Sequence, residues 1–117
     1  MKVLSAAVLM SGVFLSGCAP PASQGGFGSD NPASLLYAIH RAGREGDRHA
    51  VKHLVQALEH DDPAVRMMAI HALDLLTGHR LGYNPYAPAL ERQKMVEKWV
   101  GAVDEVQQVT QDREVKG

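Results

Sequence analysis

A lone cysteine, Cys18, stands among the 117 residues, so no disulfide can staple the chain to itself. Aromatic residues are scarce at 5%. Ala, Leu, Val and Met dominate the apolar set, which suits closely packed helices better than sheets. Neither sign of charge prevails: 12 Lys and Arg against 13 Asp and Glu leave a net charge of −1. That balance offers no electrostatic footprint for nucleic acid and no polybasic patch for a membrane surface. The longest apolar segment, Val3 to Phe14, is too short to span a bilayer. No segment alternates apolar and polar residues convincingly, so strands are not expected. Groupings that carry catalysis are missing too: a nucleophile with its base, a carboxylate pair, a glycine loop to cradle phosphate. Asp61-Asp62 is accounted for by turn and capping chemistry, and Glu91-Arg92 and Glu97-Lys98 by a solvated helix face. No enzyme activity and no cofactor are expected.

What is present begins with Lys2 and the apolar stretch after it, which read as the charged and hydrophobic regions of an export signal. Leu15-Ser16-Gly17-Cys18 closes that stretch, where an ordinary secretory signal would show an Ala-x-Ala-like cleavage site. This run resembles a bacterial lipobox. The resemblance implies a diacylglycerol on the Cys18 thiol, cleavage before Cys18, and usually acylation of the new amine. Residues 1–17 would then be a lipoprotein signal peptide. Each buried methylene contributes about 0.8 kcal/mol, so two or more chains hold where one holds only marginally. Ala19 follows the cysteine; in enteric-type sorting an aspartate there retains lipoproteins in the inner membrane. The resemblance therefore favours the periplasmic side of the outer membrane over the inner membrane. A thiol consumed by lipid is neither catalytic nor free to pair in an oxidising compartment.

The stretch from Cys18 to Asp30, rich in Pro, Gly and Ser, reads as a flexible linker. As a coil of about 12 residues it would hold the folded part about 20 Å from the bilayer. Phe27 is its single bulky apolar side chain, for which no role is expected, although it could touch lipid. Four helices are expected over 31–108, with a polar, fraying tail over 109–117. Asn31 caps the first and Pro32 opens it, with Leu35, Leu36, Ile39 and Ala42 on one face and Gly43 and Gly46 as its end. Asp47 caps the second, whose Val51, Leu54, Val55 and Leu58 follow the i, i+3, i+4, i+7 pattern. Asp62 caps the third, Pro63 opens it and Gly78 stops it. A turn-rich loop, Gly82 to Pro88, leads to the fourth, which carries Met95, Val96, Trp99, Val100, Val103 and Val106 on one side.

Helix three is apolar over a wide arc that includes Val65, Met68, Ala69, Ala72, Leu73, Leu75 and Leu76. A helix of that kind is flanked on both sides, as stacking in a solenoid requires. An internal repeat agrees. Asn31-Pro32-Ala33 through Ala38-Ile39-His40 aligns with Asp62-Pro63-Ala64 through Ala69-Ile70-His71 at an offset of about 31 residues, a spacing found in repeat architectures.

Ala50-Val51, Leu54-Val55-Gln56-Ala57-Leu58, Asp61-Asp62-Pro63-Ala64-Val65-Arg66, Ala69-Ile70 and Ala72-Leu73 together resemble one unit of the short bacterial HEAT repeat. The segment Leu76-Thr77-Gly78, Leu81-Gly82-Tyr83-Asn84-Pro85, Glu91-Arg92, Val96 and Trp99 is similar to the closing segment of envelope-associated bacterial HEAT proteins, with Asn84 standing where they carry Asp. The resemblance runs from about Asp47 to Val103. It implies an all-α, armadillo-type solenoid fragment in which Asp62 caps the B helix and Arg66 pairs across neighbouring repeats. Leu35 occupies the position equivalent to Arg66, so an Arg–Asp ladder cannot run the length of the domain. It also implies binding of another envelope protein, or self-association that completes a short stack.

Met67 and Ile70 lie in an otherwise polar arc of helix three, beside His71 and Asp74, and mark the expected contact face together with His40 at the repeat position equivalent to His71. Arg66 is expected to bond within the fold, Tyr83 and Tyr86 to pack the loop over the stack, and Trp99 to lie in the core. His49 and His53, spaced i, i+4, could both face one ion, which gives the alternative of a periplasmic metal-binding lipoprotein. They lack the Glu of a His-Glu-x-x-His motif and a clear third ligand, so a solvated flank is the expected reading and no metal is expected.

Overall fold

A computed structural model of the chain describes residues 25–116, with backbone alone for 106–111, 113 and 114. The expected signal segment and the expected lipid site at Cys18 lie outside the described residues. Within them are four α-helices and no strand: α1 (Pro32–Glu45), α2 (Val51–Ala57), α3 (Pro63–Thr77) and α4 (Ala89–Val115). A 3-10 turn over Arg48–Ala50 leads into α2, so Asp47 caps that turn through His49 N–H (3.0 Å) and not the α-helix itself.

The repeat seen in the sequence is a repeat of local geometry. Asn31 and Asp62 both hold extended backbone, and their Oδ1 atoms accept from Ala33 N–H (3.0 Å) and Ala64 N–H (2.8 Å). Such caps contribute about 1 kcal/mol each. Pro32 and Pro63 then fill first-turn positions, where no N–H is needed. Both helices stop on a left-handed glycine, Gly46 at φ 69° and Gly78 at φ 77°, a conformation that costs a side-chain-bearing residue.

Helix α1 lies against α3, α2 against α3, and α4 against α2. The result is two layers, the equivalent helices α1 and α3 in one, α2 and α4 in the other. Ile39, Leu54, Leu58, Val65, Ile70 and Leu73 are fully buried between them. Each contributes roughly 1.5–3 kcal/mol relative to exposure. This is an all-α, solenoid-like fragment.

Several expectations need correction. Gly43 does not end α1; it is buried inside the helix, and a Cβ there would stand 3.1 Å from Ala72 Cα and Cβ. It marks a close approach of the α1 and α3 backbones. Leu75 and Val100 are exposed rather than packed, because the neighbouring helices cover a narrower arc of α3 and α4 than their apolar pattern spans. Backbone helix continues through the expected tail to Val115.

The expected linker is folded at its end. A Cβ on Gly25 would collide with the buried side chain of Ser34. The Phe27 ring packs on the core and stacks on His53, centroids 5.0 Å apart and planes at 11°. The layer holding α2 has no helix beside α2 on that side among the described residues, and Phe27 covers the flank. Apolar burial thus outweighs the flexibility of the surrounding glycines.

Substituting the two helical glycines separates packing from propensity. Gly101→Ala, with open space around it, should raise stability by about 0.5–1 kcal/mol. Gly43→Ala makes the same propensity gain yet should lower stability, because Ala72 must move. Urea unfolding followed by far-UV circular dichroism measures both; an equal gain at the two sites would refute the close crossing.

Candidate functional site

The expected contact face borders a loop, and the loop is held by one buried cation. Arg66 is 7% exposed, and its hydrogen bonds run to backbone carbonyls rather than to a carboxylate. Its Nε donates to Pro85 O (3.0 Å), and Nη1 donates to His60 O (2.9 Å) and Asp61 O (2.8 Å). The planar guanidinium meets the turn before α3 and the loop after it at once, geometry that an ammonium cannot reproduce. The cross-repeat pairing implied for Arg66 is therefore replaced: the loop brings a carbonyl to a guanidinium that has no neighbouring B-helix aspartate to meet.

Two further bonds secure the same loop. Tyr83, 4% exposed, donates its hydroxyl proton to Leu58 O (2.6 Å) at the end of α2. Burial pushes its phenol above the ordinary 10.0, with the Arg66 and Arg92 guanidinium groups pulling partly the other way. Trp99, 2% exposed, donates from Nε1 to Arg80 O (3.1 Å). Asn84 turns the loop: its Oδ1 accepts from Tyr86 N–H and its carbonyl from Ala87 N–H (3.1 Å). An aspartate oxygen would do the same, so the Asn costs the turn nothing.

Held this way, the loop sets Tyr86 beside α3, its hydroxyl 3.3 Å from Met67 Sδ. Met67, His71 and Leu75 recur at i, i+4 and i+8, a spacing that aligns them along one stripe of α3. Met67 is 43% exposed, Leu75 59% and Tyr86 69%. His71 is exposed in the same stripe, and His40 is exposed at the equivalent place on α1. Apolar groups with two imidazoles thus face solvent on the layer that holds α1 and α3.

Ile70 does not belong to this face. It is fully buried, since three residues on from Met67 the helix has turned it about 60° toward the core. Asp74 lies at the edge and is engaged by Arg80, whose Nε donates to its Oδ2 (3.0 Å). Leu75 and Tyr86 were missed by sequence reasoning. Leu75 could have been found from its register with Met67 and His71, whereas nothing local places Tyr86 on α3. On the other layer the ring of His53 is stacked on Phe27, and His49 is exposed on the 3-10 turn. No group of three His, Cys, Asp or Glu able to hold a metal occurs among the described residues.

A family model described as HEAT repeats matches residues 22–94, more than half of the chain. The match takes in Phe27 and the loop that Arg66 secures. No curated protein and no solved structure gives a significant match.

Removing the guanidinium leaves buried carbonyls without a donor. Arg66→Ala should cost about 2–4 kcal/mol, and Arg66→Lys, with charge but no fork, should recover less than half. Thermal unfolding of both variants checks this; a cost for Arg66→Ala below about 1 kcal/mol would show that the loop is held by other means.

Proposed function

Because the chain belongs to the HEAT-repeat family, we propose that it is a non-catalytic, membrane-anchored module that holds another protein in the bacterial cell envelope. HEAT repeats suggest an interaction scaffold. The observation that carries the reading is the solvent-facing row of Tyr86, Met67 and Leu75 flanked by His71 and His40. Aromatic and Met side chains with few charges are the composition of a contact surface. The core has no need of them, since the fully buried set is already complete without this row.

The anchor in this reading is lipid on Cys18, supported by the lipobox-like run Leu15 to Cys18 and the short apolar segment before it. Ala19 supports the outer membrane as its destination. Six residues, Ala19 to Gln24, separate Cys18 from Gly25, so in this reading the module stays within about 25 Å of the bilayer, the most that such a length of chain can span. The metal-binding alternative has less support, because no third ligand joins His49 and His53 among the described residues.

Two measurements test the proposal. Metabolic labelling with palmitate should tag the chain, and Cys18→Ser should abolish the label; a labelled Cys18→Ser chain would end the anchoring claim. For the face, a photo-crosslinking residue in place of His71 should capture one envelope protein in intact cells, while one in place of Lys98 on α4 should not. Met67→Ser with Tyr86→Ser should remove the crosslink and leave helicity unchanged, whereas Ile70→Ser should lower stability by about 2–4 kcal/mol. A product of twice the chain's mass would mean self-association, and equal capture from both positions would refute the chosen face.

A further inference from the structure

The layer opposite the contact face holds a cavity of about 290 Å³. Its wall is apolar: Val51 from α2, Leu76 from the end of α3, Trp99, Ala102 and Val103 from α4, and Leu81 from the loop. Arg48 and Lys52 place two positive charges on one side of its rim, with His49 beside them and His79 on the other side. All four are exposed, and no Asp or Glu contributes to the lining. In a chain whose net charge is −1, this is a local concentration of one sign at the mouth of an apolar hole. Asp47, next to Arg48, directs Oδ1 to the His49 backbone N–H, and Asp104, next to Val103, is exposed.

The wall is built under strain. Leu81 is the single non-glycine residue with positive φ among the described residues, at 51°, and Gly82 follows at 74°. A branched apolar residue seldom adopts that backbone, and strain of this kind collects at binding sites. Here it brings the Leu81 side chain to the cavity wall.

We propose that the cavity binds a single-chain anionic amphiphile, a saturated fatty-acid carboxylate of about ten to twelve carbons. The size follows from volume: a cavity of about 150 Å³ takes the six carbons of benzene, so one twice as large takes roughly twice the carbon. The head group follows from charge, since Arg48 and Lys52 offer a fork and an ammonium at the mouth and would repel a cationic head. The chain lies against the indole of Trp99, and the carboxylate stays at the wet rim. Such pockets are mostly apolar with a few convergent polar groups, as this one is.

Trp99 is the sole tryptophan of the chain and lines the site, so its fluorescence reads occupancy directly. The full chain is reconstituted in phosphatidylcholine vesicles and titrated with 11-bromoundecanoate, whose bromine quenches tryptophan on contact. Saturable quenching is expected with the carboxylate and not with the ammonium of the same chain length. Ala102→Phe, which fills the cavity, should remove the quenching. Arg48→Glu with Lys52→Glu should weaken binding about tenfold or more while helicity is unchanged. Equal or unsaturable quenching by both head groups would reduce the effect to partitioning and overturn the proposal, as would indifference to Ala102→Phe. A Cys18→Ser chain that binds far more tightly than the unaltered one would show the cavity occupied by the protein's own lipid, which also overturns it.

Discussion

A single guanidinium sealed beneath the loop between α3 and α4 is the constraint on which the rest of this structure depends. Arg66 gathers carbonyls from the turn that starts α3 and from the loop that follows it, so both ends of one helix are referred to the same group. Burying a charge without a carboxylate partner is costly unless dipoles replace the lost water. Three carbonyl oxygens do that here. With the loop held, Tyr83 closes on the end of α2 and Trp99 reaches Arg80, and the layer containing α4 is set against the layer containing α3.

The stack formed in this way is out of phase with whole repeats. Among the described residues the helices run as one B helix, a complete A–B pair and one A helix, which leaves a flank in the layer of α2 that no helix covers. Phe27 fills that place by stacking on His53, so a segment composed like a linker ends as part of the core. At the other end α4 supplies Val96 and Trp99 to the interior and leaves Val100 in solvent. Short stacks need such closures, because each unit alone cannot bury its apolar face.

Two surfaces with different chemistry result, one on each layer. The layer of α1 and α3 presents Met67, Leu75 and Tyr86 with two histidines, an arrangement suited to a protein partner. The layer of α2 and α4 encloses an apolar hollow beneath a basic rim, suited to an acyl chain with a negative end. Both border the same loop: Tyr86 extends from it toward α3, and Leu81 from it toward α4.

What the sequence determined by itself is everything set by near neighbours along the chain. Asn31-Pro32 and Asp62-Pro63 fix helix starts through bonds spanning two residues, Gly46 and Gly78 fix helix ends through backbone angles, and the repeat of these signals carries the solenoid class. The covered width of each apolar arc was decided only by tertiary structure. Ile70 and Leu75 are equally apolar on one helix, yet one is sealed and the other bare, because coverage depends on where α1 and α2 lie and not on the residue itself. The same holds for Phe27, for Tyr86 on Met67 and for Arg66 under Pro85: each joins groups 19 or more residues apart, a separation that no local pattern encodes.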